Sequence, residues 1–399
     1  MNAHITWAGP AEFCVPPTEP DLRGLPARQQ PDWGDRWLVD EVRRDLATLP
    51  GLVDPDEVRD LRGLLADVAA GHRRVVQAGD CAEDPGACTA DAIGRKVGLL
   101  DALAGVLGMA TGRPVLRAGR IAGQYAKPRT EAVEDVGGQR LPVFRGPLVN
   151  SPEPDPAGRR HDPLRLLTCY DAARETLVHL RTHAATSGTV WTSHEALVLD
   201  YELPLLRRDD DGHWVLTSAH WPWIGERTRQ PDGAHVRLLA VVRNPVACKV
   251  GPGMTPGDLL ELCGILDPDR EPGRLTLITR LGAARTVERL PALVAAVRAA
   301  GHPVVWLCDP MHGNTVRAAD GRKTRLVSAV LTEVRDFQAV LAAAGAVPAG
   351  LHLEATPDPV AECVSDESGL GRPAGPYTTL CDPRLNSRQA LDVVASWHR

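Results

Sequence analysis

The stretch LTLITRLGAARTVERLPALVAAVRAAGHPVVWL, residues 275–307, decides the fold class. It starts and ends with a short apolar run, LTLIT at 275–279 and PVVWL at 303–307, and a longer segment lies between them. Short runs rich in β-branched residues are typical of buried strands, whereas the longer segment has the length of a helix. The stretch is therefore predicted to form a strand, a helix and a second strand, which is the unit of a parallel α/β sheet.

The same alternation continues along the chain in both directions. Eight strands are predicted, at residues 74–78, 114–118, 189–192, 217–223, 246–250, 275–279, 303–307 and 350–353. Apolar residues spaced by three and four predict helices between them, with stripes at 93–107, 166–180 and 327–341 and a last helix after Ser387. Asp162 and Pro163 are predicted to be the N-cap and first residue of the second of these helices.

Eight strands that alternate with helices predict an α/β protein with a (β/α)8 TIM barrel, and a doubly wound sheet is the alternative. Residues 1–70, rich in Pro, Arg and Asp, are predicted to form an N-terminal arm and helices. Residues 71–399 are predicted to form the catalytic barrel, within a single domain overall. The fourth strand is the weakest prediction, because Pro222 has no N–H to donate to a sheet.

Composition excludes several functional classes. The net charge of −6 gives no reason to expect nucleic acid or an anionic membrane as a partner. The chain has no apolar run long enough to span a membrane, which takes about 18 residues. Residues 1–17 lack the basic and apolar regions of a secretory signal, and the nine cysteines form no CxxC pair. A cytoplasmic protein with free thiols is therefore expected.

Lysine is scarce in this chain. Only four of its 45 basic residues are lysine, namely Lys96, Lys127, Lys249 and Lys323. A general preference for arginine is the simplest explanation, but it makes a lysine that remains inside a motif more informative than usual.

Metal-capable and cationic residues follow nearly every predicted strand, where the active sites of barrel enzymes lie. One thiolate, one imidazole and two carboxylates would suit Mn, Fe, Co or Zn, and they come from Cys81, His312, Glu354 and Asp382. Four cations from four different strands imply a strongly anionic substrate, and they are Arg120, Arg227, Lys249 and Arg280.

Each of these residues has a structural alternative. Cys81 alone could be a small buried hydrophobe, and His312 alone could be a hydrogen-bonded loop histidine. Glu354 could face solvent at a strand end, and Asp382 before Pro383 could begin a turn. The three arginines could pair with surface acids. Lys249 differs, because a lysine in an apolar strand needs a partner or a ligand.

The motifs at these positions resemble one family, the class II, plant-like synthases of 3-deoxy-D-arabino-heptulosonate 7-phosphate (DAHP). The resemblance extends from about residue 24 to the C-terminus. It rests on QAGDCAE (77–83), GRIAGQYAKPR (119–129), SHEALVLDYE (193–202), WIGERTRQPDGAH (223–235), VGPGMTP (250–256), PGRLTLITRLG (272–282), DPMHGNT (309–315), GLHLEAT (350–356) and CDPRLN (381–386).

The resemblance implies a role for each motif residue. The family's metal ligands fall on Cys81, His312, Glu354 and Asp382, with Mn²⁺ or Co²⁺ as the expected ion and Zn²⁺ or Fe²⁺ as alternatives. Its phosphoenolpyruvate contacts fall on Arg120, Glu226, Arg227, Lys249 and Arg280. Its erythrose 4-phosphate segment falls on Lys127, Pro128, Arg129 and Thr130.

The resemblance also implies the reaction, which is the first step of the shikimate pathway to the aromatic amino acids. Carbon 3 of phosphoenolpyruvate attacks the aldehyde of erythrose 4-phosphate, whose oxygen the metal polarises. Water then adds to carbon 2 and phosphate leaves. Lys249 and Glu226 are the candidates for positioning that water, and together with His312 they form the expected catalytic set. Relatives are homo-oligomers, so a homo-oligomer is expected here.

The chain departs from the family pattern at three places. Thr130 replaces the usual serine and keeps the hydroxyl. Asp84 and Pro85 alter the loop beside the predicted metal site. Only about ten residues connect the positions near 184 and 193, where larger relatives insert a helical pair that forms part of an aromatic effector site. A short form that serves secondary metabolism is therefore expected.

Two other functions stay open at this point. A 4-amino-DAHP synthase acting on an imino erythrose phosphate in a 3-amino-5-hydroxybenzoate pathway would share every motif, because its substrate differs by one heteroatom. A metal-dependent barrel hydrolase would use the metal site but has no need of four convergent cations. A binding protein without activity is disfavoured, because all four metal positions keep residues that can act as ligands.

Overall fold

The structure, a computed structural model, describes residue 22, residues 24–371 and residues 375–397. Most of the predicted N-terminal arm, together with the residues considered for a secretory signal, falls on 1–21 and lies outside the described residues.

Eight parallel strands form the centre of the fold, as the sequence predicts. They are β1 (Arg74–Gly79), β2 (Val115–Arg120), β3 (Trp191–Ser193), β4 (Trp223–Ile224), β5 (Val246–Val250), β6 (Leu275–Thr279), β7 (Val305–Cys308) and β8 (Pro348–Glu354). Hydrogen bonds join them in the order β3-β2-β1-β8-β7-β6-β5-β4. Each strand therefore lies beside its neighbours in sequence, as in a barrel.

The barrel closes between β3 and β4, just beyond the end of β3. Trp223 N donates to His194 O at 2.9 Å, and Ala196 N donates to Trp223 O at 3.0 Å. These bonds make a parallel bridge between Glu195 and Trp223. The predicted (β/α)8 fold is confirmed, and the doubly wound alternative is wrong because an open sheet would leave both of these edges unpaired.

Helices follow most strands and cover the outside of the barrel. They are α1 (Arg36–Thr48), α2 (Pro55–Ala69), α3 (Ala90–Thr111), α4 (Arg165–Ser187), α5 (Leu199–Glu202), α6 (Ala234–Val241), α7 (Pro256–Leu266), α8 (Thr286–Ala299), α9 (Val327–Ala343) and α10 (Ser387–Ala395). Short 3₁₀ helices lie at Pro85–Ala87, Leu203–Leu205 and Glu367–Gly369. Three small antiparallel hairpins pair Val133–Val136 with Gln139–Pro142, Leu206–Arg208 with Trp214–Leu216, and Thr315–Arg317 with Lys323–Arg325.

Helix α2 packs against the inside of the barrel. A capping box of Asp54 and Glu57 starts the helix, with Pro55 at its first position. Its apolar stripe of Leu61, Leu65 and Val68 is fully buried in one cluster with side chains of all eight barrel strands. Burying each such side chain contributes roughly 1.5–3 kcal/mol. The segment before β1 is therefore part of the barrel core rather than a detachable extension.

Two local predictions need correction. The fourth strand, predicted at 217–223, is only Trp223–Ile224, because Pro222 lacks the N–H that a longer strand would need. Helix α4 begins at Arg165 rather than at Pro163, and its N-cap is Leu164. The Asp162 side chain instead accepts from Leu164 N in a turn just before the helix. The other seven strands end within two residues of their predicted bounds.

Candidate active site

A cavity of about 620 Å³ opens at the carboxyl ends of the barrel strands. Most of the predicted site residues line it, namely Arg120, Lys127, Pro128, Arg129, Thr130, Glu226, Arg227, Lys249, Arg280, His312 and Asp382. Cys81 and Glu354 do not line the cavity and are fully buried. The parallel strands bring side chains from distant parts of the chain together because all their carboxyl ends meet on one face.

Three of the four predicted metal ligands form a compact cluster. One donor atom each from His312, Glu354 and Asp382 lies within 4.8 Å of the other two. His312 Nε2 is 3.0 Å from Glu354 Oε1. The fourth residue, Cys81, lies beside this cluster but outside that limit. Its sulfur accepts from Asp382 N at 3.3 Å and lies 3.0 Å from Thr379 Oγ1.

The thiol of Cys81 is held close to its ionised form. Burial alone would raise its pKa, but a hydrogen bond from Cys381 and the charge of Lys127 outweigh burial and lower the pKa to about 6. A thiolate is the form of cysteine that binds metal ions. The environment of Cys81 therefore suits a ligand better than an inert core thiol.

His312 is oriented by a neighbouring carboxylate. Its Nδ1 lies 2.8 Å from Asp309 Oδ2, so Nδ1–H donates to that carboxylate, and a metal ion bound at Nε2 would replace the proton that Nε2 shares with Glu354. That Nε2 faces Glu354. A carboxylate that fixes the outer nitrogen of a metal-binding histidine is a common arrangement at metal sites.

Lys127 places a positive charge between the two carboxylates of the cluster. Its Nζ lies 2.9 Å from Glu354 Oε1 and 3.0 Å from Asp382 Oδ2. Burial would raise the pKa of Glu354, but His312, Lys127 and Arg325 hold it well below its usual range. The pKa of Asp382 is also lowered, because the charges of Lys127, Arg325 and Lys323 together outweigh burial. Both carboxylates are therefore anionic and available as ligands.

The donor set fits a borderline divalent ion. One imidazole nitrogen and two ionised carboxylates converge, and an acidified thiol lies beside them. Such a mixed set suits Mn, Fe, Co or Zn better than Mg or Ca, which prefer oxygen ligands alone.

Asp309 joins this cluster to the cationic half of the cavity. Its Oδ2 accepts from Lys249 Nζ at 2.5 Å as well as from His312. Burial lowers the pKa of Lys249 to about 8, although Asp309 opposes that change. Lys249 therefore stays mostly charged at neutral pH. The sequence predicted that Lys249, in an apolar strand, needs a partner or a ligand, and Asp309 is that partner.

Arg120 is fixed from inside the barrel by a chain of hydrogen bonds. Its Nη1 lies 2.6 Å from His352 Nε2, and His352 Nδ1 lies 2.6 Å from Gln77 Oε1. Because arginine can only donate, His352 Nε2 accepts and Nδ1–H donates. Gln77 then donates to Ser193 Oγ at 2.9 Å. Four strands thus hold the guanidinium, whose Nη2 also donates to Glu354 at 3.0 Å.

The remaining predicted cations lie around the cavity rim. Arg280 Nη2 donates to His312 O at 2.7 Å, and Arg227 Nη2 donates to Thr130 Oγ1 at 2.8 Å. Glu226 accepts from Arg229 at 2.9 Å through Oε1, while its Oε2 is buried without a hydrogen-bond partner among the described residues. Glu195 also lines the cavity, and burial raises its pKa.

Two residues that contact the metal cluster were not predicted as site residues from the sequence. Arg325 Nη2 lies 2.7 Å from Glu354 Oε2, and Lys323 Nζ lies 2.7 Å from Asp382 Oδ1. Both belong to the hairpin after β7 rather than to a strand end. The scarcity of lysine was a usable signal, because all four lysines contact this site or its supports. Lys96, the fourth, lies 2.9 Å from Asp80 Oδ2 in the turn that carries Cys81.

The chain is similar in sequence to proteins of one known family. The model of the class-II DAHP synthetase family matches residues 17–189 and 182–396. A probable phospho-2-dehydro-3-deoxyheptonate aldolase of Pseudomonas fluorescens is 51% identical over 377 residues, which cover 93% of this chain and 94% of that protein. A phospho-2-dehydro-3-deoxyheptonate aldolase of Mycolicibacterium smegmatis is 38% identical over 445 residues, 95% of each chain.

Solved structures show the same fold. A phospho-2-dehydro-3-deoxyheptonate aldolase from Francisella tularensis superimposes with a TM-score of 0.52 and covers 90% of this chain and 95% of that one. Its sequence identity is 14%, so this likeness concerns the fold alone. None of the described helices combines the length and apolar composition needed to cross a membrane.

Proposed function

The chain belongs to the class-II DAHP synthetase family, and we propose that phosphoenolpyruvate condenses with erythrose 4-phosphate in the cavity described above. The family match and the named relatives make the chain a DAHP synthase, a transferase of the shikimate pathway. One observation supports the location above all others. Lys249 and His312 share the carboxylate of Asp309, which sets an anion-binding cation beside the metal cluster.

Phosphoenolpyruvate would lie against the cations of the cavity. Arg227, Lys249 and Arg280 would neutralise its carboxylate and phosphate, and Arg120 would add a rigid guanidinium held from four strands. Fixing an anion with several preformed cations orients carbon 3 toward the aldehyde and avoids the entropy cost of assembling the reactants in water.

Erythrose 4-phosphate would take the part of the cavity lined by Lys127, Pro128, Arg129 and Thr130. Its phosphate would meet the Arg129 guanidinium and the Thr130 hydroxyl. That places the aldehyde end toward the metal cluster, whose carboxylates already contact Lys127. The two substrates would then meet with their reacting carbons adjacent.

The metal site would comprise His312, Glu354 and Asp382, with Cys81 as the fourth ligand. When bound, Mn²⁺ or Co²⁺ would polarise the aldehyde oxygen as a Lewis acid. For Cys81 to join the other three, its sulfur would move toward the cluster or the loop carrying Asp382 would shift. Zn²⁺ and Fe²⁺ fit the same donors.

The protein side chains would also handle the water that adds to carbon 2. Glu226 Oε2 is a buried acceptor with no partner among the described residues, so it can hold a water or accept its proton. Lys249, with its pKa of about 8, can donate a proton or a hydrogen bond nearby. The new carbon–carbon bond and the added water leave phosphate as the departing group, which the same cations would stabilise.

The connection that precedes β3 supports a short form of the enzyme. Helix α4 ends at Ser187 and β3 begins at Trp191. The alignment with the Mycolicibacterium smegmatis relative runs over 445 residues, more than the 399 of this chain, so that relative carries insertions. A role in secondary metabolism, a cytoplasmic location and a homo-oligomeric state remain predictions.

One assay tests the function. Purified protein with Mn²⁺ or Co²⁺, phosphoenolpyruvate and erythrose 4-phosphate should lose enolpyruvate absorbance and release phosphate in equal amounts. Omitting either substrate is the control. Folded, metal-loaded protein that does neither would contradict the proposal and favour the 4-amino-DAHP reaction with its imino substrate.

A further inference from the structure

We propose that Gln29, which precedes α1 and lies outside the barrel, is a positioning residue that fixes the aldose phosphate segment, residues 127–130. This inference rests on the proposed assignment of that segment to erythrose 4-phosphate. The side chain of Gln29 accepts a hydrogen bond from the backbone N–H of Arg129, which lies one hundred residues later in the sequence.

The backbone of Gln29 adopts a conformation that costs free energy for this residue type. Its φ is +63°, in the left-handed region. Glycine occupies that region freely, whereas a residue with a Cβ pays roughly 1 kcal/mol or more. The side-chain contact of Gln29 explains this cost, because a glycine would keep the carbonyl contact but would lack the side-chain acceptor.

Through these contacts both backbone N–H groups of residues 127–129, those of Lys127 and Arg129, have hydrogen-bond acceptors. Gln29 Oε1 accepts from Arg129 N at 2.8 Å. Gln29 O accepts from Arg145 Nη2 at 2.5 Å, and Arg145 O accepts from Lys127 N at 2.8 Å. Pro128 has no N–H to tie. Gln29 and Arg145 therefore hold the segment on two sides, and they are linked to each other.

The segment that carries Gln29 is itself anchored to two other active-site loops. Gln30 Nε2 donates to Leu197 O at 2.8 Å, and Gln30 Oε1 accepts from Leu199 N at 2.9 Å, both beyond β3. Pro26 O accepts from Ala234 N at 2.9 Å, beyond β4. Gln29 thus projects from a fixed base and not from a free tail, which is what a positioning role requires.

Loss of the Gln29 acceptor should loosen only the aldose phosphate segment. Arg129 N would then exchange its partner for water, and the segment would sample conformations that bind the phosphate less well. One neutral hydrogen bond of this kind corresponds to roughly a 2- to 12-fold rise in KM for erythrose 4-phosphate. KM for phosphoenolpyruvate should change by no more than about twofold, because Arg227 is the one proposed phosphoenolpyruvate cation with a hydrogen bond to the segment, through the Thr130 hydroxyl, and Lys249, Arg280 and Arg120 do not contact Gln29.

Two variants separate positioning from simple structural support. Gln29→Met keeps the length of the side chain and removes the acceptor. Gln29→Gly also removes it but favours the left-handed backbone, so its melting temperature should equal or exceed that of the wild type. Both should raise KM for erythrose 4-phosphate selectively. Arg28→Ala, at the exposed neighbouring position, is the matched control and should leave both KM values unchanged.

The outcomes are distinguishable. Selective loss of erythrose 4-phosphate affinity in Gln29→Gly without a lower melting temperature would support the inference. Wild-type turnover with an unchanged KM in both Gln29 variants would overturn the inference alone, as would parallel increases of both KM values together with a lower melting temperature. No turnover by the wild type would overturn the proposed function and this inference with it.

Discussion

Arg227 donates from Nη2 to Oγ1 of Thr130 at 2.8 Å, and this bond joins the loop after β4 to the loop after β2. The first residue was predicted to bind phosphoenolpyruvate and the second to bind the aldose phosphate. Their contact makes the two proposed subsites neighbours before any substrate is present. It also gives the threonine hydroxyl at position 130 a second contact besides the proposed one with phosphate.

Replacing Thr130 should affect both substrates, unlike the change at Gln29. Thr130→Val removes the hydroxyl at nearly constant volume and leaves Arg227 without this acceptor. KM for erythrose 4-phosphate should rise roughly 5- to 20-fold and KM for phosphoenolpyruvate by a smaller factor. Thr130→Ser, which keeps the hydroxyl, is the control and should behave like the wild type in steady-state kinetics. A valine variant with normal values would show that the hydroxyl is not used.

Lys249 should make phosphoenolpyruvate capture depend on pH. Its pKa is lowered to about 8 by burial, so the ammonium is charged below that value and neutral above it. The kcat/KM for phosphoenolpyruvate should therefore fall as pH rises through about 8, and kcat should fall at higher pH because the bound anion stabilises the ammonium. Rate measurements from about pH 6.5 to about 9.5 test this.

A substitution at the same position gives an independent check. Lys249→Met should lower kcat/KM roughly 10- to 100-fold and remove the alkaline fall, because no group is left to lose its charge. Lys249→Arg should move that fall to higher pH. Wild-type kinetics in the methionine variant would exclude Lys249 from the site.

Cys81 should bind metal more weakly as pH decreases. With a pKa of about 6, its sulfur is mostly thiolate at neutral pH and becomes protonated below about pH 6, where a proton competes with the metal. Cys81→Ala should lose most Mn²⁺ or Co²⁺ affinity in calorimetric titrations and lose metal-dependent activity, yet unfold at a similar temperature. Cys263→Ala changes another buried thiol outside the cavity and is the matched control. Equal metal affinity in both variants would remove Cys81 from the site.

Glu333 should make the stability of the protein decrease as pH rises through neutrality. This buried side chain on α9 accepts from the backbone of Leu281 and Gly282 and from Asn314 Nδ2. Burial raises its pKa to about 7 from 4.5, so the folded state holds a proton that the unfolded state releases. Stability from this group is full below about pH 4.5 and is lost as pH rises from there through about 7, by roughly 3–4 kcal/mol at most.

Glu333→Gln removes that titration. The free energy of unfolding of the variant, relative to the wild type, should improve between about pH 5 and about pH 8 in urea titrations. At low pH the variant should be less stable, because its amide would face the amide donor of Asn314. A difference from the wild type that is constant with pH would contradict the raised pKa.

The barrel was predictable from sequence because each of its strands is buried on both faces and reads as a short apolar run. Strand β4 was the exception. Its pairing depends on backbone bonds from Trp221 to Thr192 in β3 and from Trp223 to His194 just after β3, and the sequence does not show which bonds are made. The start of α4 was misplaced for a similar reason, since Asp162 caps a turn that comes before the helix.

The residues of the candidate site that lie at strand ends and in the family motifs were predictable from the sequence. These features predicted His312, Asp382 and the cations, which line one cavity, and Glu354, which is buried beside His312. Arg325 was missed because it lies in a hairpin beyond the strand end. There the position in the sequence does not indicate which way the side chain points. Gln29 was missed because its role depends on a hydrogen bond across one hundred residues.

The four lysines give this protein an unusual chemical property. Each has its ammonium within 3 Å of a carboxylate of the site or of its supports, and only Lys323 exposes as much as 36% of its side chain. Side-chain amine chemistry on this chain is therefore confined to the surroundings of one cavity. Among the side chains, acylating reagents, amine-reactive dyes and reductive methylation would react first at Lys323, which lines the cavity, and coupling the protein to a surface through lysine would tether it at its own active site.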